Sequence, residues 1–303
     1  MKELKVKGTF STLILAILFG VTPALCSVTY AMGSNAITLT FYRNIMVVPV
    51  LLIAMLALKI PLKLTKEELF WMLVVGVGFR ASTTLMLYAS YDYTGIGMAT
   101  TLHFLYPVFT AVIAKLFFKE KFGVPKCVAL LMATAGIVLS NFSAEGYGMT
   151  GVILAAVSGL TYAIYMTLME RTCLKEIHPF KVACYMGLFN ALAMVAIDLP
   201  FHLPFGPIHY ALPPLALFYT FLVSMSTSFL AVVLLQIGIS SLGAGTAAIF
   251  SMLEPVTCIF SGCLLLGEIM DSGKILSCGL VLAAVLIIIV VDKKRSSQLQ
   301  VNE

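Results

Sequence analysis

Charge is what this sequence has least of: 11% of its 303 residues are Asp, Glu, Lys or Arg, against 60% that are hydrophobic. No soluble core of this size needs so apolar a composition or stays in solution with it, so the chain reads as a polytopic membrane protein. The apolar runs also lack the polar/apolar alternation of a membrane barrel, which leaves helices as the spanning elements. Sequence signatures of catalysis are missing too. There is no H-E-x-x-H, no G-x-S-x-G, no P-loop and no Cys/His cluster at ligand spacing, so neither an enzyme nor a cofactor, metal or ATP-driven step is expected. The seven cysteines (Cys26, Cys127, Cys173, Cys184, Cys258, Cys263, Cys278) include no C-x-x-C and fall mostly inside apolar runs. They read as small buried hydrophobes.

What is present is a series of apolar runs of membrane-crossing length, at 9-30, 36-58, 69-90, 96-117, 124-140, 149-169, 180-198, 213-237, 244-265 and 273-291. A span needs roughly 20 apolar residues to cross about 30 Å of hydrocarbon, so these ten account for nearly the whole chain. The first run has the basic start of a signal peptide. It is too long for an apolar leader core, and Leu25 before Cys26 is a poor cleavage context, so it is kept as a span.

Basic residues orient the spans. With the N-terminus inside, sixteen of the nineteen Lys and Arg fall in cytoplasmic segments, Lys274 alone lies outside, and Arg43 and Arg80 fall within spans. Both termini are therefore expected in the cytoplasm. The same clusters explain the net charge of +5 as topogenic anchoring against lipid, and no nucleic-acid partner is implied.

An internal repeat emerges from the stretches "LYPVFTAVIAKLFFKE" (105-120) and "MLEPVTCIFSGCLLLGE" (252-268). A shift of 148 residues superposes Gly95 on Gly243, Gly97 on Gly245, Pro107 on Pro255 and Glu120 on Glu268. Five spans per copy is an odd number, so the second copy enters the membrane upside down. That inverted-repeat plan underlies many secondary transporters. The expected fold is thus an all-α membrane protein of ten transmembrane helices, two inverted five-helix repeats at 1-145 and 146-303, the second with a short cytoplasmic tail.

The segments "LYPVFTAVIAKLFFKEKFGVPKCVALLMATAGIVL" and "LEPVTCIFSGCLLLGEIMDSGKILSCGLVLAAVLIIIV" resemble the repeat signature of the drug/metabolite transporter superfamily, and within it the EamA-type family of ten-span proteins. Each holds a proline, about a dozen apolar residues, an acid and a glycine- and alanine-bearing helix. The resemblance implies export or exchange of small metabolites, amino acids among them, across the cytoplasmic membrane through a cavity shared by the repeats. It says little about substrate. Tyr106 stands where the second copy has Glu254, which puts in doubt any mechanism requiring an acid in both halves.

Ionisable groups inside spans carry the candidate chemistry, because a charge at mid-bilayer costs about 2.5–3.5 kcal/mol on insertion scales. Glu254 lies near the middle of the ninth span. Pro255 lacks an N–H and disfavours a helical residue before it, so a kink and a freed carbonyl are expected there, as at Pro107. Glu254 is the natural substrate-binding or proton-coupling group, with a structural pair to Arg80 as the alternative. Arg80 is too deep to snorkel, whereas Arg43 has a headgroup-reaching alternative. Should all three line one cavity, two guanidiniums facing one carboxyl would favour a carboxylate- or phosphate-bearing substrate. His103 reads as a proton carrier or an interhelical partner, and Asn44, Asn190 and Gln236 as ligand contacts or interhelical bonds. Tyr88, Tyr91, Phe104, Tyr106, Tyr162, Tyr165 and Phe250 read as a cavity wall or as ordinary packing. Glu120 and Glu268, at span ends, read as structural or gating partners.

Taken together, these residues lead to an alternating-access exporter of small metabolites in the cell membrane, monomeric or homodimeric. Its cavity is expected between the third, fourth, eighth and ninth spans, with Pro107 and Pro255 as its deformable points. A broad organic-cation exporter and a non-transporting sensor or scaffold remain alternatives.

Overall fold

Backbone polar groups have no water to bond in a bilayer core, which forces each long apolar run to satisfy them internally as a helix. The computed structural model describes residues 2–119, 123–141, 148–198, 206–267, 269–270 and 272–301, and all regular structure among them is helical. Glu120, Glu268 and His202 lie outside the described residues. Ten helical segments follow in order: α1 (Lys2–Ala31), α2 (Ala36–Ala57), α3 (Lys66–Ile96), α4 (Met98–Phe118), α5 (Val124–Asn141), α6 (Met149–Arg171), α7 (Pro179–Asp198), α8 (Pro214–Leu242), α9 (Ala244–Leu265) and α10 (Ser272–Val301). Eight are long and apolar enough to cross a membrane by themselves; α5 and α10 carry shorter apolar stretches, Val124–Val138 and Ser272–Ile287. These two pair closely, since a Cβ on Gly136 would lie 3.0 Å from the Ser277 carbonyl oxygen.

Every apolar run of the sequence has its helix, and the second five helices traverse the bundle in the opposite sense to the first. We call the side where α1 begins the terminal face, and the other the distal face.

Three local devices recur in both repeats. The first is a glycine at a sharp bend: Gly95 (φ 72°, ψ 164°) kinks the last turn of α3 just before α4, and Gly243 (φ 82°, ψ 157°) parts α8 from α9. Side-chain-bearing residues avoid that backbone region, which explains why both copies carry glycine. The second is a π-helical stretch, Met72–Ala81 in α3 and Ser224–Leu230 in α8. Such widened turns are uncommon and often mark functional positions. The third is the break expected at the prolines. In α4 the helix is interrupted at Phe104–Leu105 and resumes at Tyr106; in α9 it is interrupted at Met252–Leu253 and resumes at Glu254. Each proline is thereby the second residue of a new half-helix, where its missing N–H costs nothing. Two half-helix N-termini consequently lie in the middle of the bundle.

Small residues allow close crossings. A Cβ on Gly20 would sit 2.4 Å from Thr257 Cβ, and Ser261 Oγ donates to the Gly20 carbonyl at 2.9 Å, locking α1 onto α9. Gly159 on α6 likewise faces the His103 carbonyl oxygen, 2.8 Å from where its Cβ would be. This is the small-residue packing by which membrane helices associate without a hydrophobic driving force.

Candidate functional site

A cavity enclosing about 670 Å³ of atom-free space, its mouth included, lies in the distal half of the bundle. Its charged lining is Arg43, Arg80 and Glu254, and its aromatic lining is Phe19, Tyr88, Tyr91, Phe104 and Tyr162, with His103, Thr83 and Thr84 between them. The terminal half is instead filled by packed apolar side chains, among them Leu15, Met72, Val75, Met166, Met169, Ile239 and Ile249.

The expected border of the cavity needs correcting. Helices α3, α4 and α9 line it as anticipated, but α8 does not; α1 (Phe19, Thr22, Pro23), α2 (Arg43) and α6 (Tyr162) take part instead. The reason is packing. Helix α8 lies behind α2 and holds it, since Ser228 Oγ accepts from Arg43 Nε at 3.0 Å and Ser224 Oγ donates to the Arg43 carbonyl at 2.7 Å. Both serines sit in the π-helical stretch of α8.

Arg43 does not snorkel. It is 6% exposed, and besides Ser228 it donates through Nη1 to the Tyr88 hydroxyl, whose ring lies 5.6 Å from the guanidinium carbon. Arg80, at the end of the α3 π-helical stretch and equally buried, donates from Nη1 to Asn44 Oδ1 at 3.2 Å. Asn44 in turn bonds the Thr40 carbonyl, so its amide is held in place. Arg80 is thus tied to the α2 residue that follows Arg43.

Glu254 is 3% exposed and begins its half-helix. Its Oε1 accepts from the Tyr106 hydroxyl at 3.3 Å. The Arg80–Glu254 pair considered from sequence is not formed: the ion pair among the described residues is Lys181–Glu68, at 3.1 Å, on the terminal side. An N-terminal helix position suits the carboxyl electrostatically, because unpaired N–H groups there present partial positive charge.

His103 lines the cavity with Nδ1 3.0 Å from Ser158 Oγ on α6, and its ring packs 5.4 Å from that of Tyr162. Of the aromatic candidates, Tyr88, Tyr91, Phe104 and Tyr162 line the cavity, whereas Tyr106, Tyr165 and Phe250 are buried beneath it. Gln236 is elsewhere: its Nε2 bonds the Leu174 and Ile177 carbonyls at 2.9 and 2.6 Å, fastening the α6–α7 connection at the terminal face. Asn190 is buried off the cavity, one helical turn below Arg80, where its Oδ1 lies 3.6 Å from the Cβ position of Gly76. Pro107 and Pro255 mark the two helix breaks. Sequence inspection missed Phe19, Thr22 and Pro23 of α1, since a mid-span threonine or phenylalanine carries no signal of its own. Ser224 and Ser228 were missed for the same reason.

Two inverted five-helix repeats, broken helices at mid-bundle and a largely apolar cavity holding Arg43, Arg80 and Glu254 fit a membrane transporter. The EamA-like transporter family model matches residues 6–142 and again 149–290, and the chain belongs to that family. Among curated relatives, it is 24% identical over 280 residues to the uncharacterized transporter YcbK of Bacillus subtilis (strain 168), covering 90% of this chain and 89% of that one. It is 29% identical over 132 residues to solute carrier family 35 member G1 of Mus musculus, a match spanning 44% of this chain and 35% of the mouse protein. A solved crystal structure aligns with a TM-score of 0.78 at 17% identity, covering 97% of this chain and 99% of the other, which supports the fold.

Proposed function

We propose that the protein is a secondary-active exporter of small metabolites, of about amino-acid size, working by alternating access in the cell membrane. One observation carries the reading: the cavity is lined by distal-half residues and by the mid-span Arg80 and Glu254, while buried apolar side chains pack the terminal half among the described residues. With the basic residues placing the termini in the cytoplasm, this conformation presents the site outward. Rocking the repeats about Tyr106 and Glu254 would close the distal side and open the other, the glycine junctions and proline breaks absorbing the change.

Glu254 is the group that would couple the cycle to protons, since it is the carboxyl that lines the cavity and its partner there is a hydroxyl. The experiment is counterflow in vesicles reconstituted with the purified protein, with a pooled metabolite extract inside and each compound followed by mass spectrometry. Protein-dependent loss of particular compounds, accelerated by an outside-acid gradient, is expected. Vesicles that retain every compound at the rate of protein-free controls would overturn the transporter reading.

A further inference from the structure

The two arginines bring more positive charge into the cavity than its lining neutralises. Leaving a guanidinium away from water without an anionic partner is costly, and such groups persist where a ligand or counter-charge completes them. Among the described residues neither Arg43 nor Arg80 forms an ion pair, and Glu254, the carboxyl lining the cavity, is engaged by Tyr106. Arg80 donates to a single amide oxygen, Asn44 Oδ1, and Arg43 to two hydroxyl oxygens. Each guanidinium has five N–H donors in a planar fork, so most remain for a further acceptor.

A second observation points the same way. Tyr162 lines the cavity at 8% exposure, and its hydroxyl has no hydrogen-bond partner among the described residues. A buried hydroxyl left without an acceptor is unfavourable. The rest of the wall is largely apolar and aromatic, including Phe19, Leu87, Tyr91 and Phe104.

We infer that the substrate is an organic anion, its carboxylate or phosphate clasped by Arg43 and Arg80 and its apolar or aromatic body lying against Phe19, Tyr91 and Phe104. This rests on the transporter reading and gives it a substrate class. Forked guanidinium donors match the paired oxygens of both acid groups. Asn44, Ser228 and Tyr88 hold the arginines ready, so little ordering is needed when the anion arrives.

The test uses the full-length protein in detergent and in vesicles. Thermal stabilisation and competition for counterflow are measured with benzoate and succinate, with phenyl phosphate, with their neutral counterparts benzamide and succinamide, and with tetraphenylphosphonium as a cation. Carboxylates or the phosphate should stabilise and compete, their amides should not, and the two acid arms decide which head group is preferred. Arg80→Gln and Arg43→Gln should weaken the anion effect roughly 10- to 100-fold. Arg80→Lys, which keeps the charge and loses the fork, should weaken it less and guards against a variant that merely fails to fold. Transport inhibited by the amides or by tetraphenylphosphonium but indifferent to every anion would overturn the anion assignment while leaving a transporter. Vesicles that move nothing of any charge would remove both.

Discussion

Tyr106 and Glu254 stand at the same position of the two repeats, 148 residues apart, and they touch: the phenol donates to the carboxyl at 3.3 Å. Equivalent residues of an inverted repeat can meet only where the pseudo-twofold axis passes, so this contact lies on the axis relating the halves. The departure of the first copy from an acid is thus what allows a bond in place of two facing carboxyls, whose charges would repel.

Glu254→Gln tests the coupling role. A folded variant should still exchange substrate down its gradient but lose acceleration by an outside-acid gradient. Tyr106→Phe, which strips the carboxyl of its hydroxyl partner, should lower stability by about 1–3 kcal/mol while leaving the gradient response in place. Unchanged proton dependence in Glu254→Gln vesicles would move the coupling elsewhere.

The two junction glycines should respond differently to alanine. Nothing lies within 4 Å of a Cβ built on Gly95, so Gly95→Ala meets the backbone penalty alone, about 1–3 kcal/mol. On Gly243 the added methyl would also come within 3.1 Å of Glu170 Oε1, and Gly243→Ala should be the more destabilising of the pair in a side-by-side thermal melt.

Glu170 ties the end of α6 to the start of α9 by accepting from the Ala244 N–H at 2.8 Å, which satisfies an otherwise unbonded donor there. Glu170→Ala should cost about 0.5–2 kcal/mol, as loss of a helix cap does. Hydrogen exchange should rise at the amides of 244–247 and stay constant in the packed pair α5 and α10. Uniform change across the bundle would argue against a local latch.

Lys181 fastens α7 to the start of α3, donating to Glu68 Oε2 at 3.1 Å and to the Lys63 carbonyl at 2.8 Å. Lys181→Met should destabilise by roughly 1.5–3 kcal/mol, the size of a hydrogen bond to a charged group. Glu68→Gln should cost less, because the carbonyl contact survives it. A double-mutant cycle returning no coupling energy would show that the bond to Lys63 carries the whole effect.

Much of the architecture could be read in advance, for reasons that are local. Apolar runs long enough to cross a bilayer have no alternative to helix, and Pro107 and Pro255, each lacking an N–H, mark points where a helix is weakened. The recurrence of Gly95 as Gly243 and of Pro107 as Pro255 is visible in one dimension. Arg43, Arg80 and Glu254 could be singled out because charge within a span is expensive.

What the chain could not reveal is who meets whom. Arg80 bonds Asn44 rather than Glu254, Gln236 faces a loop rather than the cavity, and α1 and α6 border the site where α8 was expected. The π-helical stretches that set Arg80, Ser224 and Ser228 have no marker in these sequences.

The sequence by itself determined the membrane, the ten spans, the inverted repeat and the few residues whose burial demands a reason, because each follows from hydropathy, chain length or the chemistry of one side chain. Only the tertiary structure decided that two guanidiniums share a cavity without a carboxylate partner and that Tyr106 meets Glu254 on the axis. Those facts depend on contacts between helices far apart in the chain, set by side-chain shape and close approach at small residues such as Gly20 and Gly159, which no periodicity encodes.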